Sequence, residues 1–553
     1  MIKTDSAPMP ARPTADLSRR GLFAIAGASA AIAATPASAR TFGSGFTHGV
    51  ASGEPQSDSV LLWTRYVGDV NGVEWLISKN ADLSQPAMRG YALVKAERDY
   101  CVKANAVAAL DPDTWYYYQF TAPDGTKSDI GRTRTLPEGP TSRFKMAVFS
   151  CSNFGFGYFN AYAHAAEAND CDLALHLGDY IYEYGAGTYP SPAQAHADRV
   201  LAPESEIVAL ADYRLRYATY RADPDLRRLH QVMPMIAIWD DHESANDSWK
   251  DGAQNHQPET EGEWSVRKAA AKRAYREWMP VSDEPYAAYD IGDLATLFRL
   301  DTRLEGRDEQ FSLEKVLEGQ ETPASMVAAL AKFRDGEWSD PKRQLMGAAQ
   351  EEWLADGLKS SKMRGATWQV LVQQVLIGKL SSPADLLELL GDGVPPFIRA
   401  RLMASAMASK AGLPLNMDAW DGYPAARDRV FESALAADAN LLVLAGDTHN
   451  GWAFDLGHAG EKVGVELGVC SVSSPGFETY LPVAPDTMAD LVVRANDELK
   501  WADTSQRGYM AVELTPSRAT TEYRFMAATK TRSTSLAGTK TISTLAGSNS
   551  LSM

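Results

Sequence analysis

Four apolar runs in this chain stop at residues that bind metals. They are FKMAVFSCSN (Phe144 to Asn153), LALHLGDYIY (Leu173 to Tyr182), MPMIAIWDDHE (Met233 to Glu243) and NLLVLAGDTHN (Asn440 to Asn450). A continuous apolar run fits a strand covered on both faces, as in a parallel sheet between helices. In open α/β sheets, ligand-binding groups sit beyond the carboxyl ends of such strands. The pattern therefore brings Cys151, Asp179, Tyr182, Asp241, His242, Asp447 and His449 toward one edge. Singly, each has a plain structural reading: Asp after Gly is a common turn residue, and a lone Cys is often a small core residue. Four runs ending alike is what marks a site. His176 lies inside its run and is read as a core histidine.

The donor types narrow the chemistry. Thiolate, phenolate and imidazole favour a transition ion such as Fe(III). Carboxylates, Asn amides and waters favour hard ions such as Ca²⁺ or Mg²⁺. Both kinds occur here, which predicts a mixed site with a carboxylate, best Asp179, bridging two ions. Two metals a few ångströms apart suit an in-line displacement at phosphorus.

The formal net charge of −17 excludes a surface that binds nucleic acid nonspecifically. An anionic substrate then needs a local positive centre, which a metal cluster provides. The N-terminal SRRGLFAIAGASAAIAATPASA carries Arg19 and Arg20, an apolar run and Ala37-Ser38-Ala39. It reads as a twin-arginine signal peptide over residues 1–39, implying use of the twin-arginine export machinery and a periplasmic or secreted product. Its apolar run is too short to span a bilayer, and no later stretch is predicted to do so. Cys101, Cys151, Cys171 and Cys470 are irregularly spaced and lack a zinc-type pair, so the chain reads as metal-bearing rather than disulfide-stapled.

Residues 40–138 are predicted to form a small β-sandwich. SVLLWTRY, VEWLIS and TWYYYQF are apolar-aromatic runs separated by turn residues. LPEGPTSR reads as a linker. Residues 139–527 alternate strand-like and helical runs and are predicted to form the catalytic α/β domain. FIRARLMASAMASKAG reads as helix packed on the core rather than as a lid. Residues 528–553, rich in Ser, Thr, Ala and Gly, are predicted to be disordered.

GDYIY, WDDHE and GDTH resemble the metallophosphoesterase signature of purple acid phosphatases. FTHGVASGEPQSDSVLLWTR, FSCSN, HLGDYIYEYG, WDDHESAND, LDTR and LAGDTHNGW resemble the PhoD-like alkaline phosphatase/phosphodiesterase family more closely, and in family order. The resemblance implies a four-layer α/β/β/α domain after a fibronectin-like sandwich, with one iron and one or two calcium ions. It implies that Cys151, Asp179, Tyr182 and His449 hold iron. Asp179 would bridge to calcium, joined by Asp447 and Asn246. Asp241 falls at the superfamily's Asn ligand, and His242 at its conserved His, a general-acid position. Arg303 of LDTR is a candidate phosphate contact, with a structural ion pair as the equal alternative. Where purple acid phosphatases carry an Asp and a His, this chain has Cys151 and Asp447. The second change favours calcium over zinc.

The expected activity is hydrolysis of small-molecule or lipid phosphate mono- or diesters by a metal-bound hydroxide. A phospholipase D-like phosphodiesterase is the alternative within the enzyme class. A secreted surface-binding protein is the alternative outside it.

Overall fold

The computed structural model describes residues 42–107, 110–386 and 396–553. The signal-peptide expectation lies outside the described residues. Two large sheets form the frame. One has ten strands, the other seven. Strands Phe144–Phe149, Leu173–His176 and Met235–Ala237 are parallel neighbours in the middle of the ten-stranded sheet. Strand Leu441–Ala445 lies in the seven-stranded sheet, parallel to Trp368–Val372 on one side and Glu461–Gly468 on the other.

Alternate residues of each strand serve two different cores, which is why the sequence runs are apolar without alternation. Val148, Leu175 and Ile236 face Val370, Leu442 and Leu444 across the gap between the sheets. Phe149, Ala174 and Met235 face outward, under helices Asn160–Ala168, Leu210–Arg221 and Trp264–Trp278. Leu371 and Val443 face outward from the other sheet, under helices Ala348–Met363 and Pro424–Ala436. Helices thus cover the outer faces of both sheets. Helix starts follow local chemistry. Before Pro224–Val232, the Asp223 carboxylate accepts from the amides of Asp225 and Leu226 at 2.9 and 3.1 Å, and proline opens the first turn.

The N-terminal region is a β-sheet domain, as expected, but it is not self-contained. Strands Gly45–Gly53, Val60–Val67 and Cys101–Ala106 continue the ten-stranded sheet, joined through Gly53 to Met235 in parallel. A four-stranded sheet packs over them, enclosing Leu62, Ile77, Tyr118 and Phe120.

The expectation of a disordered tail is overturned. Strand Leu536–Leu545 pairs along the whole of Arg518–Met526, and Leu551–Ser552 pairs in turn. Its β-branched threonines suit a sheet surface, and Ile542 and Thr544 are buried. The methionine-rich segment is helical over Pro396–Lys410. Ala406 and Ala408 are buried, while Met403 remains half exposed. No helix among the described residues is long and apolar enough to cross a membrane.

Candidate metal centre

The four motif strands end at one place, where the carboxyl ends of the two sheets meet. The chain leaves them in an unusual conformation. Cys151, Asp179, Asp447 and His449 all have left-handed backbone, with φ of 58°, 53°, 67° and 64°. Such residues cost of order 1–3 kcal/mol each and gather at functional sites. Two glycines make the approach possible. A Cβ on Gly178, whose φ is +100°, would fall 2.4 Å from Asp240 Cβ. One on Gly446 would fall 2.3 Å from the Ser150 hydroxyl of the opposite sheet.

Three sets of side chains converge closely enough to share an ion: Cys151, Asp179 and His449; Asp179, Asp241 and His242; and Asp240, Asp241 and Asp447. Within each set the donor atoms lie within 4.8 Å of one another. Asp179 belongs to the first two sets and Asp241 to the last two, so the sets form a chain. Tyr182 completes the first. Its hydroxyl lies 3.0 Å from Asp179 Oδ2, 3.3 Å from His449 Nε2 and 2.9 Å from the Ser474 hydroxyl. His449 donates through Nδ1 to the Pro475 carbonyl at 2.8 Å, which turns its Nε2 lone pair toward the cluster.

Asp179 Oδ1, Asp240 Oδ2 and Asp241 Oδ1 are buried with no hydrogen-bond partner among the described residues. Buried carboxylate oxygens are costly unless paired, hydrogen-bonded or bound to metal. The donor set therefore fits metal ions, with a soft end at Cys151 and a hard end at Asp447.

Electrostatics agree. Burial pushes Asp179 well above the usual carboxylate range, reinforced by Asp241 and Asp240 against the pull of His242. Asp447 is likewise raised by burial and by Asp240. Asp240 rises to about 6 by burial, despite Arg303. Asp241 differs: burial would raise it, but His242 and Arg303 hold it at about 2. A cation bound among the raised carboxyls would favour their charged forms and oppose that shift. Burial lowers His449 to about 3, so it is neutral and available as a ligand. His242 is the reverse. Burial would lower it, but Asp241, Glu183 and Asp179 raise it well above its usual value. Its Nδ1 donates to Glu183 Oε2 at 2.6 Å, leaving Nε2 for the cluster.

Several groups here escaped the sequence reading. Asp240 is a member of the third set. Glu243 accepts from the backbone amides of Asp179, Tyr180 and Asp240 at 3.0, 2.5 and 2.7 Å, tying two motif loops together. Both lie inside WDDHE, where two further acidic residues flanking the chosen Asp-His pair were the available signal. Glu183 stands inside the quoted HLGDYIYEYG, but its tie to His242 is tertiary, and Asp418 had no signal. Arg303 is fully buried and sits in an ion-pair network. Its Nε meets Asp240 Oδ1 at 2.5 Å and its Nη1 meets Asp418 Oδ2 at 2.7 Å. Its Nη2 lies 3.7 Å from Asp241 and 3.6 Å from Asp447. Arg307 also pairs with Asp418. Asn246 is tied to the Glu183 loop. Its amide Nδ2 donates to Gln254 at 3.0 Å, and its backbone N–H donates to Glu183 at 2.7 Å. His176 is a core histidine, as expected, bonded to the Tyr162 hydroxyl at 2.8 Å. The four cysteines are buried and form no disulfide.

Residues 146–523 match the family model described as PhoD-like phosphatase, and residues 30–137 match that family's N-terminal domain. The chain belongs to the PhoD-like phosphatase family. It is 33% identical over 515 residues to alkaline phosphatase D of Bacillus subtilis (strain 168), covering 87% of this chain and 77% of that protein. A solved structure of PhoD superimposes with a TM-score of 0.74 at 30% identity, covering 92% of each chain. The convergent strand ends of this PhoD-like phosphatase lie within the matched residues 146–523.

Proposed function

We propose that this PhoD-like phosphatase is an exported, metal-dependent phosphoesterase acting on mono- or diesters, within a four-layer α/β/β/α catalytic domain. The chain of three donor sets linked through Asp179 and Asp241 carries the reading. Cys151, Asp179, Tyr182 and His449 would hold Fe(III). Asp179, Asp447, Asp241 and Asp240 would hold Ca²⁺, with Asn246 as a further oxygen ligand. Once bound, the ions supply Lewis acidity and positive charge at phosphorus.

The protein's own groups do the remaining work. Glu183 fixes the His242 ring through Nδ1 and keeps it protonated, so that Nε2 can deliver a proton to the leaving oxygen. Tyr182 packs against that ring, centroids 4.3 Å apart, and limits its rotation. Arg303 acts on the carboxylates rather than on phosphate. It offsets part of the charge of Asp240 and Asp418 and positions Asp240 beside Asp241.

Elemental analysis of folded, exported protein, without added metal, tests the reading. About one iron per chain together with calcium supports it, as does loss of iron and of p-nitrophenyl phosphate hydrolysis in Asp179→Asn. Zinc or manganese alone would overturn the ligand assignment. A metal-free but fully folded protein would overturn the reading altogether.

A further inference from the structure

The metal centre has an aromatic margin that catalysis at phosphorus does not require. Tyr184 packs on His242 with ring centroids 5.4 Å apart, on the general-acid side of the centre. Tyr189 follows, 5.7 Å from Tyr184 and 5.9 Å from Tyr182. Outermost is Tyr480, 47% exposed, whose hydroxyl donates to the Tyr189 hydroxyl at 3.4 Å. The rings thus run from the buried centre to solvent.

The segment that presents Tyr480 is anchored to the centre itself. Ser474 donates to the Cys151 carbonyl at 3.1 Å and bonds the Tyr182 hydroxyl. The Phe477 amide donates to Asn450 Oδ1 at 3.2 Å. Arg507 is committed to Glu478, so it does not offer a free charge to this edge. What the margin offers is tyrosine rings with their hydroxyls, those of Tyr189 and Tyr480 bonded to each other. Rings of this kind bind planar or aromatic partners by offset or edge contact. In a chain of net charge −17, an uncharged arm is also accepted more readily here than a second anion.

Building on the phosphoesterase reading, we propose that Tyr184, Tyr189 and Tyr480 form a specificity subsite for an aromatic or other planar organic arm of the phosphoester. Phosphate sits at the metal centre and the arm lies along the rings toward solvent. The favoured substrate is an ester bearing such an arm rather than a small alkyl ester.

Two phosphonates of equal charge and with a stable P–C bond test this: methylphosphonate and (2-naphthyl)methylphosphonate. Each is measured as a competitive inhibitor of the full metal-loaded chain, using whichever of p-nitrophenyl phosphate or bis-p-nitrophenyl phosphate is hydrolysed. The naphthyl compound is expected to bind about tenfold more tightly, the scale of one good ring contact. Tyr480→Ala should reduce that ratio to about threefold or less, and Tyr480→Phe should keep it, as ring contact requires. Tyr480 is half exposed, so both variants are expected to fold, which a melting curve checks. Equal inhibition by the two phosphonates in the unmodified chain overturns the subsite while the phosphoesterase reading stands. So does a ratio unchanged in Tyr480→Ala, or one lost equally in Tyr480→Phe. No hydrolysis of either ester by metal-loaded protein overturns the phosphoesterase reading and the subsite with it.

Discussion

The gap between the two sheets and the carboxyl edge of the same sheets are a few residues apart and obey opposite rules. In the gap, Leu175, Val148, Leu442 and Leu444 pack as a dry apolar core. At the edge, Asp179, Asp240, Asp241 and Asp447 crowd together, and the first three each keep a buried oxygen without a hydrogen-bond partner among the described residues. The gap is built of ordinary strand backbone, whereas the edge turns left-handed at Cys151, Asp179, Asp447 and His449. The core supplies the free energy that lets the edge hold charged groups and strained backbone it would otherwise shed.

That contrast can be broken from either side. The largest effect is expected in the gap. Leu444→Ala should cost about 2–5 kcal/mol of stability, by lost burial plus cavity, measured by denaturant unfolding. Metal content per folded molecule should hardly change. At the edge, Glu243→Gln should be milder for the fold and harsher for the site. An amide cannot accept from three backbone N–H groups as the carboxylate does, so metal retention should fall about 10- to 100-fold, read by competition with a chelator.

The smallest effect concerns a buried carboxyl away from the centre. Glu466 accepts from the amides of Ile377 and Gly378 at 2.7 Å each, and burial raises it to about 8. Its folded value lies above its unfolded one. Its contribution to stability is therefore full below about pH 4.5 and is lost as pH rises toward about 8. Glu466→Gln should flatten the fall in melting temperature across that window. An unchanged slope would show that Glu466 stays ionised in the fold.

The strand ends were legible in the sequence because doubly covered strands leave unbroken apolar runs, and because Asp, His, Tyr and Cys closed each of them. Their support was not. Glu243 acts by binding three amides on two loops, and Arg303 acts by facing carboxylates from three chain segments. WDDHE and LDTR mark these residues in the sequence, but the partners each one binds are set by the tertiary fold. The strand Leu536–Leu545 was hidden by composition: its residues are those of a linker, but Thr539, Thr541 and Ile542 carry the branched side chains of a sheet. Three of the N-terminal strands were read from their apolar-aromatic runs, yet nothing local told that Gly53 would pair with Met235.

The placement of the strand that bears Cys151 sets an order of assembly. Phe144–Phe149 lies between Leu173–His176, made almost at once, and Gly508–Leu514, made more than 350 residues later. On a ribosome, that strand waits with one edge open until nearly the whole chain has emerged. Contacts of such sequence separation form slowly. The centre is thus closed among the last events of synthesis, when the polypeptide that must shield its exposed edge is finally present.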